Sequence, residues 1–254
     1  MTATFHDLKD SSVFITGGGS GIGGALTDAF LAQGAKVAFV QRSDASEFLS
    51  EMGNKHGTEP LFIKCDITDV EALHRAINQA AETHGTITTL INNAAWDNRH
   101  PVEGFTPDEW DSMMQVNLRP QFFSAQAVAP GMKEAGGGSI INFSSIAFKI
   151  AVQGFPAYAT AKAGIVGLTN SLARELGPDY IRVNAILPGW VLTKRQMDLW
   201  TTEEALAEFL SRQCIPRQLK EDDIVGSVLF LASNSSRMMT GQSLVIDGGV
   251  TFAG

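Results

Sequence analysis

The chain has 254 residues, 44% hydrophobic and 18% charged, a balance that suits one globular body and excludes a disordered chain. Its formal net charge is −8 and no basic run exceeds Lys194-Arg195, so the positive footprint of a nucleic-acid-binding protein is missing. Cys65 and Cys214 form no CxxC, the opening residues lack a leader pattern and no apolar run has membrane length; the expectation is a cytoplasmic protein without metal, disulfide, nucleic-acid partner or membrane span.

Taken in chain order, apolar runs at Val13-Phe14-Ile15, Val37-Ala38-Phe39-Val40, Leu61-Phe62-Ile63, Leu90-Ile91, Ile140-Ile141, Val183-Asn184-Ala185-Ile186 and Leu244-Val245-Ile246 read as buried strands. Amphipathic stretches separate them, several introduced by capping-box patterns: Thr68-x-x-Glu71, Thr106-Pro107-x-Glu109 and Thr201-x-x-Glu204. This alternation calls for right-handed crossovers and predicts an α/β fold. We expect one doubly wound Rossmann domain over residues 1–254, with a mainly parallel sheet of about seven strands and helices on both faces. Ligands then bind at the carboxyl ends of the strands.

The first strand runs into Thr16-Gly17-Gly18-Gly19-Ser20-Gly21-Ile22-Gly23, followed by the helix-like Ala25-Leu26-Thr27-Asp28-Ala29-Phe30. Glycines let a backbone turn sharply and approach a pyrophosphate, and a helix N-terminus offers free N–H groups, so a diphosphate is expected here. Two frames are open, G-x-G-x-x-G on Gly19, Gly21 and Gly24, or Thr16, Gly17, Gly21 and Gly23.

Farther on, Tyr158 and Lys162 stand at i and i+4, so a helix projects both from one face. Free tyrosine, with a pKa of about 10, is a poor base near neutrality. A neighbouring ammonium lowers that value, which predicts that Tyr158 takes a hydroxyl proton in oxidation and returns it in reduction.

The second glycine frame, Asp66-Ile67, Asn92-Asn93-Ala94-Ala95, the Tyr158–Lys162 pair and Pro188-Gly189-Trp190-Val191-Leu192-Thr193, in that order, resemble the short-chain dehydrogenase/reductase family over nearly the whole chain. The resemblance implies a nicotinamide dinucleotide whose phosphates lie on Gly17, Ser20, Gly21, Ile22 and Gly23 and whose adenine meets Asp66 and Ile67. It further implies that Asn92 and Ala94 contact a ribose while bracing the sheet, that Lys162 holds the nicotinamide ribose and, with the positive nicotinamide ring, stabilises the Tyr158 phenolate, and that Pro188, Gly189, Val191 and Thr193 hold the carboxamide. Ala95 replaces the family's usual glycine, which matters only if that backbone needs a positive φ.

In the family's NAD enzymes an acidic residue ends the second strand. Here Gln41-Arg42-Ser43 stands there, and an arginine can pair with a 2′-phosphate, so NADP is favoured over NAD. The family's catalytic serine precedes the tyrosine by thirteen residues, which selects Ser145 over Ser144 as the donor to the reacting oxygen. Asn117 matches the asparagine that links the lysine to a water chain; a structural asparagine interrupting a helix is the alternative.

The segments Asn93 to His100 and Trp190 to Gln196, with Ala129 to Lys133 and Gln213-Cys214, are similar to bacterial aldose-dehydrogenase-like members of the family. They suggest a small sugar oxidised at C1 to its lactone, bound by Trp96, Asp97, Asn98, Arg99, Ser145, Trp190, Lys194 and Arg195, with a substrate-covering loop and helices at about 190–215. The alternatives are a sugar-acid or polyol dehydrogenase, a 3-oxoacyl or ketone reductase, and, from another class, a non-catalytic dinucleotide-binding sensor. The apolar stretch Leu244 to Phe252 resembles the family's subunit-contacting terminus and implies a homotetramer.

Overall fold

The computed structural model describes residues 3–193 and 202–252. The strands, named here in chain order, are β1 (Ser12–Thr16), β2 (Lys36–Gln41), β3 (Leu61–Lys64), β4 (Thr89–Asn92), β5 (Gly138–Phe143), β6 (Ile181–Pro188) and β7 (Ser243–Ile246). They form one seven-stranded sheet in the order β3-β2-β1-β4-β5-β6-β7, with every neighbouring pair parallel. Each strand falls on an apolar run that the sequence marks.

The α-helices among the described residues are α1 (Gly21–Ala32), α2 (Ser46–His56), α3 (Val70–His84), α4 (Pro107–Asn117), α5 (Arg119–Glu134), α6 (Pro156–Leu176), α7 (Glu203–Ser211) and α8 (Glu221–Ala232). Successive strand residues point to opposite faces, so β1 sends Val13 and Ile15 into one core, with Phe30 of α1 and Val228 of α8, and Phe14 into the other, with Leu73 of α3 and Val128 of α5. Burying the sheet on both faces explains why its strands read as continuous apolar runs.

Two of the three capping boxes are displaced by one residue. Asp69 caps α3, accepting from the Ala72 N–H, while Thr68 donates its hydroxyl to Asp66. Thr202 caps α7, accepting from the Ala205 N–H; Thr201 lies outside the described residues. Thr106 forms a reciprocal box with Glu109 as its pattern indicates. In each displaced case two adjacent residues can cap, and packing of the helix picks the second.

Strand order reverses between β1 and β4, since the chain winds outward through β2 and β3 and then returns to β4 beside β1. The loops leaving neighbouring strands diverge there and leave a crevice above their carboxyl ends. The loops after β1, β4, β5 and β6 all meet at it.

Candidate active site

The loop after β1 makes a tight cradle. Gly17 has φ +70° and Gly21 φ +52°, conformations that a side chain strains, and a Cβ on Gly23 would collide with the Gly17 carbonyl oxygen. Gly24 would meet only ordinary contacts, which selects the frame of Thr16, Gly17, Gly21 and Gly23 over the alternative. Asn93 clamps the loop from β4: its Nδ2 donates to the carbonyls of Thr16 and Gly17, and its N–H donates to the Thr16 hydroxyl at 3.0 Å. The Ala94 N–H shares that hydroxyl at 3.1 Å, and Ala95 is not among the residues of positive φ.

Ser20 precedes α1 without capping it, and no acidic residue lies in the first turn. The open N–H groups and the positive helix end therefore face the crevice, which fits an anionic diphosphate. Ile22 lines the cavity below.

At the far end of β2, Gln41 Oε1 accepts from the Gly19 N–H at 3.1 Å, and its Nε2 donates to the carbonyls of Ser43 and Asp44. No carboxylate occupies this place. The Arg42 side chain is 76% exposed and lies 3.8 Å from Asp66. Asp66 is held below its ordinary pKa because Thr68 hydrogen bonds and the Arg42 charge outweigh the penalty of burial. The Ile67 side chain packs in the core.

A cavity of about 390 Å³ lies between the β4, β5 and β6 loops and α7. Tyr158 and Lys162 project into it from α6, and Ser145 from the end of β5. The Ser145 hydroxyl accepts from the Ala147 N–H at 3.1 Å and hydrogen-bonds the Tyr158 phenol. Ser144 turns away, donating to the Lys162 carbonyl at 2.6 Å.

Lys162 is 1% exposed; its Nζ lies 5.3 Å from the Tyr158 ring centre and donates to the Phe143 carbonyl at 2.9 Å. Burial pushes the ammonium pKa down to about 8, with Asp97 pulling upward. Tyr158 is raised above its ordinary value by burial and then by the negative charge of Asp97, with only the Ser145 hydrogen bond pulling it down. The expected lowering of the tyrosine by the ammonium is outweighed here by burial of the phenol.

The structure sorts the other sequence candidates by location. Asn93, Asp97, Arg99, Pro188, Gly189, Trp190, Val191 and Thr193 line the cavity. Asn92 does not: it is 1% exposed and its amide spans Asn142 Oδ1 and the Gln121 carbonyl. Asn117 is fully buried where α4 gives way to α5, its Oδ1 accepting from the Trp96 N–H and its Nδ2 donating to the Trp96 carbonyl. Trp96 and Asn98 are not among the lining residues, and Lys194 and Arg195 lie outside the described residues.

Sequence reasoning missed the apolar wall of Ile146, Ile150, Val152 and Phe155, and the α7 face of Glu208, Phe209 and Arg212. Arg99 lies over Phe155 at 5.4 Å, and Trp190 meets Phe209 edge-on at 5.5 Å. Only the helical spacing of Ala205, Glu208, Phe209 and Arg212 could have signalled this face. No group of metal-ligating side chains occurs among the described residues, and no described helix is long and apolar enough to cross a membrane.

A family model described as Enoyl-(Acyl carrier protein) reductase matches residues 17–251. The chain is 53% identical over 251 residues to "Probable galactose dehydrogenase GalD" of Rhizobium meliloti (strain 1021), covering 98% of each chain. It is 42% identical over 249 residues to the D-xylose 1-dehydrogenase of Caulobacter vibrioides, again covering 98% of each. Among solved structures, a short-chain type dehydrogenase/reductase from Mycobacterium ulcerans superposes with a TM-score of 0.91 at 27% identity, covering 98% of this chain and 91% of that one.

The buried ammonium sets a pH signature. Folded Lys162 releases its proton near pH 8 and an unfolded lysine near 10.5, so between these values the unfolded chain binds more protons and stability rises with pH. Below pH 8 the buried charge costs its full penalty. Lys162→Met should therefore raise the Tm of the ligand-free protein at pH 7, with the gain shrinking toward pH 10.5. A Tm difference from wild type that is the same at both ends contradicts the assignment.

Proposed function

The chain belongs to the short-chain dehydrogenase/reductase family and is a nicotinamide-dependent oxidoreductase, and from that premise we propose that it oxidises an aldose at C1 to the lactone. The observation that carries this reading is the meeting of Tyr158, Ser145 and Lys162 in one cavity whose rim bears Asp97, Arg99 and Trp190. The first three are suited to a proton and hydride exchange at a hydroxyl-bearing carbon. The last three are suited to holding a polyhydroxylated ring, with Trp190 as an apolar platform. Relatives named as galactose and xylose dehydrogenases support the substrate class.

In this reading the dinucleotide supplies the hydride acceptor and a positive charge beside the phenol. Gly17, Ser20, Gly21, Ile22 and Gly23 bind its diphosphate; Asp66, Ile67 and Ala94 border its adenosine side; Pro188, Gly189, Val191 and Thr193 hold the carboxamide. Ser145 donates to the sugar C1 oxygen and orients it. Tyr158 accepts the C1 hydroxyl proton as the C1–H bond gives up its hydride, and the C1–O bond becomes the lactone carbonyl. Lys162 holds the ribose and balances the phenolate. Asn117 serves by fixing the backbone of Trp96, and Trp190 with the α7 face of Glu208, Phe209 and Arg212 borders the bound sugar; residues 194–201 of the expected cover lie outside the described residues.

A sugar acid is the second reading, favoured by Arg99 and Arg212, which both line the cavity, since a guanidinium can grip a carboxylate through two hydrogen bonds. Comparing oxidation of D-galactose, L-arabinose, D-xylose, L-fucose and L-rhamnose with that of the matching aldonic acids decides between them. Turnover should be greatest with an aldose; turnover of the acids alone contradicts the proposal.

NADP is the proposed dinucleotide, because Gln41 leaves no carboxylate to repel a 2′-phosphate and Arg42 stands exposed beside the crevice. Arg42→Ala should weaken NADP about tenfold, roughly 1.4 kcal/mol and the low end for a charge-assisted hydrogen bond, and leave NAD unchanged. Equal loss for both contradicts it. A cytoplasmic homotetramer completes the proposal, and light scattering should give four times the 27.2 kDa of one chain; a single-chain mass contradicts that assembly.

A further inference from the structure

Beneath the Tyr158–Lys162 pair runs a set of buried polar side chains that the hydride exchange itself does not use. Asn92, Gln121, Ser124, Asn142 and Thr169 are each at most 3% exposed. Asn92 Nδ2 donates to Asn142 Oδ1 at 2.9 Å, Ser124 donates to Asn92 Oδ1 at 2.6 Å, and Asn142 Nδ2 donates to Thr169 at 3.0 Å. These bonds brace β4, β5, α5 and α6 against one another. Gln121 is the member that reaches the active lysine.

Its Nε2 donates to the carbonyls of Asn117 and Phe143, both at 3.4 Å. The Phe143 carbonyl is the same oxygen that receives Lys162 Nζ. Both neighbours of the amide nitrogen are acceptors, so the NH2 must face them, and the Gln121 Oε1 accepts from no group among the described residues. A carbonyl oxygen has two lone pairs. With Gln121 directed at one side of the Phe143 oxygen, the ammonium is left with the other.

Asn117 extends the link. Its side chain is spent on the Trp96 backbone and its own carbonyl receives Gln121, so the loop carrying Trp96 and Asp97 is tied to the acceptor that holds Lys162.

We propose that Gln121 is a positioning residue for Lys162: its amide shares the Phe143 carbonyl with the ammonium, aims the ammonium at Tyr158, and couples that aim through Asn117 to the substrate loop. This rests on the reading of Tyr158 and Lys162 as the reacting pair. Lys162 serves both the phenol and the ribose, so loss of Gln121 should appear chiefly in turnover, with a smaller effect on dinucleotide affinity and little on sugar KM.

The experiment uses the full chain with NADP, NAD and D-galactose, or whichever sugar of the panel wild type turns over, from pH 6 to 9. Gln121→Met keeps the volume and removes both donors, and kcat should fall at least fivefold while KM and dinucleotide affinity stay within threefold. Gln121→Glu is the second variant. Its protonated carboxyl can still donate to Phe143 and its anion cannot, so kcat relative to wild type should fall as pH rises, whereas the deficit of Gln121→Met stays flat. A smaller loss in Gln121→Met, or equal and pH-independent deficits in both variants, the mark of packing alone, overturns the inference. Tyr158→Phe separates it from its parent: an active Tyr158→Phe overturns the reacting pair, while an inactive Tyr158→Phe beside an unimpaired Gln121→Met overturns only the role of Gln121.

Discussion

An ammonium group kept 99% out of solvent needs a fixed acceptor and a nearby negative charge, and in this protein the placement of Lys162 meets both needs. The acceptor is the Phe143 carbonyl at the end of β5, and the charge is Asp97 in the loop after β4. Each comes from a different strand, so the lysine can be held only when β4, β5 and α6 are docked together. The polar set of Asn92, Ser124, Asn142 and Thr169 fastens those elements. Burial that weakens the ammonium also raises the tyrosine.

The sheet supplies the rest by geometry. Reversal of the strand order between β1 and β4 opens a crevice, and the missing Cβ of Gly23 lets α1 begin directly against the turn that leaves β1. Asn93 then binds the β1 turn to the β4 loop. The glycine turn and the Tyr158–Lys162 cavity are thus tied by Asn93 and by Ala94, whose N–H shares the Thr16 hydroxyl.

Some of this is legible in the amino-acid order because a local rule demands it. Gly17 and Gly21 need positive φ, Tyr158 and Lys162 need one helical turn of separation, and seven buried parallel strands need apolar runs; each leaves a pattern. Residues chosen by tertiary contact leave none. Gln121 and Asn142 look like ordinary polar positions until α5 is laid on β5, and Thr68 cannot be told from Asp69 as a cap when both are capping residues one step apart. Trp96 shows the same limit. Its indole suggests a sugar platform, yet the structure uses its backbone as the partner of Asn117 and gives the cavity rim to Trp190. The tyrosine pKa shows the same limit, because sequence spacing reveals the neighbouring ammonium but not the burial that raises the phenol.

The central claim is that Tyr158, Lys162 and Ser145 promote hydride transfer from the C1 carbon of a sugar. Oxidation of D-galactose deuterated at C1 tests it most directly, with mass analysis of both products. The account predicts one deuterium in the reduced dinucleotide, a lactone free of label, and a kcat/KM lower than that of the unlabelled sugar. A reduced dinucleotide without deuterium, with the label kept in the sugar product, would contradict it.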